Sequence, residues 1–274
     1  FNFAATSAAA LLFGVLPAWL ATRSAALRQH DAAGSSEAPG RWRWGRLLVA
    51  GQLALSLPLV AGAGLLARTL INLQHVDVGF SKDQLLEWNV DAAPIADYAS
   101  RQRVLQRALE EVRQVPGVVA ASYSGHGVFS GGRSNDDMAV EGYELKKDEY
   151  LGSEFTQVGP GYLETLGIPL LHGRGFEEKD FARPAEVCII NESFAKKFFA
   201  GRNPIGLHIT NVDGPERVIL EVVGVARDSR TNRLRSDIET RYYVPVSQPL
   251  SRMQSVKFLA RTPRASGPMF AAFD

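Results

Sequence analysis

A serine and a histidine stand two residues apart in SGHG, residues 124–127, the residue types from which a nucleophile and a general base are built. A nucleophile elbow requires G-x-S-x-G, and Ser124 with His126 has neither that spacing nor an evident acidic third member. The stretch therefore predicts a flexible glycine loop. The five histidines, His30, His75, His126, His172 and His208, have no partners at i, i+3 or i, i+4, a scatter that predicts no metal site. Cys188, within the apolar run EVCII, predicts a small buried core side chain, and as the single cysteine it rules out an intrachain disulfide framework. No G-x-x-x-x-G-K-[ST] loop is present to cradle a nucleotide phosphate. NES, 191–193, fits a glycosylation sequon, but Asn191 also stands where it would cap a helix. HGRGFEEKDF, 172–181, predicts a solvated turn of mixed charge. The expectation is a protein with no catalytic residues, no cofactor and no metal, and not an enzyme.

The elements that frame these residues begin with a long apolar run. Leu47 to Ala67 contains no Asp, Glu, Lys, Arg or His and is bracketed by Arg46 and Arg68. At about 1.5 Å per residue such a helix is roughly 30 Å long, the thickness of a bilayer's hydrocarbon core. Its leucines and valines favour insertion, partly offset by Gln52, Ser56, Pro58 and the glycines. Ala50, Ala54, Pro58 and Gly62 recur every fourth residue, a stripe small enough for another backbone to approach closely. The prediction is a transmembrane helix over 47–71 that packs against other spans.

Phe1 to Thr22 is also uncharged, with Pro17 and Trp19 toward its end, and predicts a first span over 1–22. A secretory signal peptide fits less well, since neither an initiating Met nor a basic segment precedes the apolar run. The chain reads as a fragment that starts inside a span. Residues 23–46 carry five arginines against Asp31 and Glu37 around a Gly/Ser/Pro-rich middle, with Trp42 and Trp44 near the next span. Arginine-rich short loops stay on the cytoplasmic side, so 23–46 predicts a cytoplasmic linker and everything after Arg68 lies outside. The net charge of +1 argues against a nucleic-acid partner.

The outer part, 81–274, alternates strand and helix signals. Leu86, Trp88 and Val90 alternate with Glu87, Asn89 and Asp91 across 84–92, the period of a half-buried strand. Asp97 to Val115 places Leu105, Ala108, Leu109 and Val112 at helical spacing and is stopped by Pro116-Gly117. VVAASYS, 118–124, completes a strand, helix, strand unit. Further strands are expected near MAVEGYEL, at EFTQVG, at Val187–Ile190, and in RVILEVVGVARD, RYYVPVS and SVKFLART. Short helices are expected at PGYLETLG, closed by Gly167, and after Asn191 over Phe194, Phe198 and Phe199. The fold class is α+β: two transmembrane helices followed by a mixed α/β domain.

Four ordered phrases carry a family resemblance: GRLLVAGQLALSLPLVAGAGLLARTLINLQHVDVGF, VGPGYLETLGIPLLHGRGFEEKDF, VCIINESFAKKFFAGRNPIGLHI and EVVGVARDSR. They resemble the MacB/FtsX-type permeases of ABC transporters, in particular the duplicated-permease branch of soil bacteria, where two such units are fused. GVLPAWLATRSAAL is similar to the last span of a first unit running into its cytoplasmic linker.

The resemblance implies a bacterial inner-membrane, multi-pass protein whose outer segment is a MacB-like periplasmic core domain, truncated here at its C-terminal end. It implies an ABC ATPase subunit, other permease transmembrane helices, a periplasmic partner protein and membrane lipid as partners. Two functional classes follow. One is a permease component that couples ATP hydrolysis by a separate subunit to the periplasmic domain, in transport or mechanotransmission. The other is a membrane-anchored periplasmic binding or sensing module without a transport role.

Overall fold

The computed structural model describes residues 39–74, 76–91, 97–130, 134–144, 152–182, 186–212, 217–231, 238–247 and 255–263. The expected span over 1–22 and residues 23–38 of the expected linker lie outside these. The chain divides into two units, Phe1–His75 and Val76–Asp274.

Among the described residues of the first unit one helix, α1, spans Pro39–Gln74. It begins inside the expected linker, ahead of Leu47. Proline is at home in a first helical turn, where its missing N–H would be unpaired in any case, so the Pro-Gly start opens the helix instead of breaking it. Within it, Val49–Leu73 is 25 residues long and apolar enough to cross a membrane, the one such helix among the described residues. Leucines stand exposed all round it, among them Leu53, Leu57 and Leu66. Pro58 sits inside the helix and cannot donate to the carbonyl of Ala54. One turn away, the Ser56 hydroxyl donates to the Leu53 carbonyl at 3.4 Å.

The second unit opens with β1 (Leu85–Asp91), α2 (Tyr98–Gln114) and β2 (Ala120–Ser124). Asp97 caps α2 by accepting from the Ser100 amide, and Val115, forced into an extended conformation ahead of Pro116, ends it. The remaining strands are β3 (Asn135–Val140), β4 (Gly152–Val158), β5 (Leu170–Gly173), β6 (Val187–Asn191), β7 (His208–Asn211), β8 (Val218–Ala226), β9 (Arg241–Pro245) and β10 (Ser255–Arg261). Three short helices lie between them: α3 (Tyr162–Leu166), α4 (Glu178–Ala182) and α5 (Glu192–Phe199).

Among the described residues ten strands join one sheet, nine of them in the order β1-β10-β2-β4-β3-β7-β8-β6-β9 with β5 pairing antiparallel with β8 beside them, and β9 also pairs in parallel with β4. That last pairing closes β4, β3, β7, β8, β6 and β9 into a ring. The ring surrounds a core to which each of its strands contributes: Met138, Phe155, Ile190, Ile209, Leu220 and Tyr242, against Phe194, Phe198 and Phe199 of α5. The arm β1-β10-β2 hangs from β4 through the Ser124–Val158 pairing. β10 lies antiparallel between β1 and β2, so the strand, helix, strand unit is split by a third strand. α2 lays Leu105 and Leu109 against Tyr123, Val256 and Phe258 of this arm.

Two expectations change here. HGRGFEEKDF is not a solvated turn: His172 and Gly173 end β5, and Arg174 pairs with the Asp180 carboxylate of α4 at 2.7 Å, where the Asp180 side chain is only 5% exposed. Burial pushes the Asp180 carboxyl up, but the bonds from Arg174 and the Glu177 amide outweigh it and hold the group below its ordinary range. The glycine loop is also fastened over 125–130, as described below.

Candidate functional site

The chain enters the second unit through Val76-Asp77-Val78-Gly79-Phe80-Ser81, and this segment buries Val78, Gly79 and Phe80 while Asp77 and Ser81 stay at the surface. Asp77 folds back to accept from the Gly79 amide at 2.9 Å, an Asx-type turn. Its other carboxylate oxygen accepts from Arg227 at 2.8 Å. The Gly79 bond first, and Arg227 next, hold the Asp77 carboxyl below the usual aspartate range. Gly79 has φ +75, and a Cβ there would lie 2.0 Å from the Asp228 carbonyl oxygen, so only glycine fits. Val78 and Phe80 are buried in a cluster with Leu163, Leu166, Val223 and Tyr243.

Hydrogen bonds tie the same segment to three other parts of the fold. The Arg230 amide donates to the Val78 carbonyl at 2.8 Å, and the Ser81 amide to the Leu166 carbonyl at 2.9 Å. Arg261, the last residue of β10, spreads its guanidinium over the Ser81 hydroxyl and carbonyl, the Asp83 carbonyl and the Thr165 carbonyl. Asp228, whose carbonyl crowds Gly79, accepts from the Ser193 amide and hydroxyl at 2.9 and 2.7 Å at the start of α5. Glu192 completes the link by accepting from the Asp228 amide at 3.2 Å.

The phrases that carried the sequence resemblance therefore meet at one place: VDVGF (76–80), YLETLG (162–167), NES (191–193) and ARDSR (226–230). Read locally, YLETLG and NES signal short helices and ARD the end of a strand, while VDVGF carries no reading of its own. Asp77-x-Gly79 could have been read as a turn, but its partner Arg227 lies 150 positions away and no local pattern announces it.

The chemistry-bearing residues are placed elsewhere and engaged in structure. The Ser124 hydroxyl donates to the backbone carbonyl of His126 at 2.7 Å, while the His126 ring nitrogen Nε2 pairs with the Ser134 hydroxyl at 2.7 Å. Burial holds the His126 imidazole below its ordinary pKa. The nearby Glu154 carboxylate is engaged by Arg241, directly opposite it across β4 and β9. Arg241 also donates to the Thr231 hydroxyl. Cys188 is fully buried, and burial raises its thiol pKa far above the ordinary value. Asn191 caps α5, its side-chain oxygen accepting from the Phe194 amide at 2.9 Å and its amide donating to the Glu239 carbonyl. It is 1% exposed, a position in which a glycan has no room. His208 pairs with Glu141 at 2.9 Å, and His172 lies exposed on β5, while His30 and His75 fall outside the described residues. Among the described residues no group of three His, Cys, Asp or Glu side chains is placed to hold a metal. Ala50, Ala54, Pro58 and Gly62 all lie within α1, and a Cβ built on Gly62 meets nothing within 4 Å.

The family model of the MacB-like periplasmic core domain matches residues 59–267. A macrolide export ATP-binding/permease protein, MacB, of Syntrophobacter fumaroxidans is 31% identical over 78 residues, covering 28% of this chain and 10% of that protein. The chain thus spans about a tenth of the length of that relative. Among solved structures, the periplasmic region of MacB from Actinobacillus actinomycetemcomitans is similar at TM-score 0.46 and 18% identity, over 73% of this chain and 84% of that one. The extracellular domain of the noncanonic ABC-type transporter YknZ from Gram-positive bacteria is similar at TM-score 0.44 and 17% identity, over 69% and 86%. With more than half of its residues matched by the family model, the chain belongs to the MacB-like periplasmic core domain family.

Proposed function

We propose that this chain is part of an inner-membrane permease of the ABC type, in which α1 crosses the membrane and the second unit stands in the periplasm. A separate ATPase subunit supplies the energy, and the segment 76–81 passes movement from the span to the periplasmic domain. The observation that carries the reading is the clasp itself: the residues directly after the apolar helix are fixed by the ion pair to Arg227, by side chains buried against α3 and β8, and by hydrogen bonds to α3, to the Arg230 amide and to Arg261 of β10. A segment held this way moves as one body with its domain, whereas a simple tether would need no such fixing. The reading assigns no catalytic step to this chain.

The stripe Ala50, Ala54, Pro58 and Gly62 supports the same role, because small residues let neighbouring spans pack closely enough to push on one another. The test uses the parent permease reconstituted with its ATPase. Ala54→Leu and Gly62→Leu are expected to lower coupled ATP hydrolysis, while Val49→Leu and Val60→Leu, off the stripe, leave it unchanged. Normal coupling in the stripe variants at normal expression would contradict the proposal.

The second reading, a membrane-anchored binding or sensing module, is favoured by one feature. An open cleft of about 720 Å³ lies between β5 and α5, with Leu171, Ile205 and Val225 beside His172, Lys196 and Arg202. Its volume falls in the range of small-ligand sites, roughly 300–1,000 Å³.

A further inference from the structure

The loop Gly125–Ser130 has no part in the clasp described above, yet it closes over the same segment. The Phe129 ring stands 6.1 Å from the Phe80 ring, and Val128 packs against the cluster that buries Val78 and Phe80. The Phe129 amide donates to the Thr231 carbonyl at 2.6 Å, one residue beyond the ARDSR stretch that grips Asp77 and Val78. The Val128 amide donates to the Glu87 carboxylate of β1 at 2.7 Å. Gly127 packs so tightly on that carboxylate that a Cβ would lie 2.1 Å from Glu87 Oε1. Phe129 has φ 57, a conformation that costs an aromatic residue roughly 1–2 kcal/mol and persists only where the surroundings impose it. A loop free to relax would not hold it.

We infer that Gly125–Ser130 is a second jaw of the entry clasp, closing on Phe80, and that Glu87 is the positioning residue that latches it. The inference rests on the proposed transmission role only for its effect on coupling. Its test is hydrogen exchange on the full chain in detergent, read on peptides covering 125–130 and 226–231. Glu87→Ala is expected to speed exchange about tenfold in both, the change that loss of one charge-assisted hydrogen bond produces. Gly127→Ala, which pushes the carboxylate aside, behaves the same way, and Glu87→Gln, which keeps an acceptor oxygen, stays within about threefold of the parent. Faster exchange confined to 125–130, or in neither peptide, overturns the second jaw. Faster exchange in both peptides with ATP-driven coupling intact leaves the jaw standing and counts against transmission. Exchange unchanged in both, together with coupling lost on substitution of Asp77, overturns the jaw and leaves transmission standing.

Discussion

Gly79→Ala should loosen the clasp from its tightest point. Alanine at φ +75 pays about 1–2 kcal/mol for the left-handed conformation. The larger effect is contact, because the new Cβ lies 2.0 Å from a backbone oxygen, that of Asp228, which cannot swing away as a side chain would. Moving Asp228 strains its two bonds to Ser193 and the one from its amide to Glu192, each worth about 1 kcal/mol. With these bonds weakened and not all lost, the expected destabilisation is about 3–4 kcal/mol. At about 2–4 °C per kcal/mol for a domain of this size, the thermal midpoint of the second unit should fall by roughly 6–16 °C. Gly64→Ala is the control, since a Cβ there meets nothing within 4 Å and alanine suits a helix better than glycine. Differential scanning calorimetry of the two variants in detergent is the assay. A midpoint for Gly79→Ala within a degree of the parent would refute the account of the clasp.

Arg241→Met leaves Glu154 buried without its cation and should destabilise the second unit by about 3–5 kcal/mol, whereas Arg241→Met with Glu154→Leu should recover much of that loss in chemical denaturation. Asn191→Ala removes the helix cap together with the acceptor for the Arg241 amide and the donor to Glu239, and should cost about 2–3 kcal/mol, read as a shift in urea midpoint at unchanged slope. Asp77 is held below its ordinary pKa, so its ionised grip on Gly79 and Arg227 is present above the unfolded aspartate value of about 3.9 and is lost as the pH falls through the lower folded value. Hydrogen exchange in peptide 226–231 should quicken over that acid range in the parent and show no such step in Asp77→Asn.

The long apolar helix and most strands were legible because each carries a signal inside its own residues. The alternation around Trp88, the Asn191 cap and the stop at Pro116-Gly117 are local physics, and the structure places them as expected. β5 and β7 were missed because each has four residues: Leu170–Gly173 is exposed throughout, and β7 alternates in burial but turns Asn211 inward beside Ile209, so its residue types show no apolar period. The start of α1 at Pro39 was hidden in a stretch whose composition reads as linker. Ring closure rests on β4 pairing with β9, some 87 positions apart from Glu154 to Arg241, and pairing at that range leaves no trace in either segment alone. The clasp was invisible as a unit because its parts are scattered from Asp77 to Arg261. What the sequence did offer was the set of phrases that later proved to touch.

The most direct test of transmission through the entry segment is a charge exchange across its ion pair. In the parent permease reconstituted with its ATPase, Asp77→Arg places two cations where Arg227 and Asp77 now meet at 2.8 Å. Coupled ATP hydrolysis is predicted to fall severalfold, and Asp77→Arg with Arg227→Asp to recover the part that rests on the ion pair, the Gly79 amide staying without the acceptor that an arginine cannot supply. Coupling that is unchanged in Asp77→Arg at normal expression, or that the exchanged pair fails to restore at all, would contradict a transmitting role for the segment.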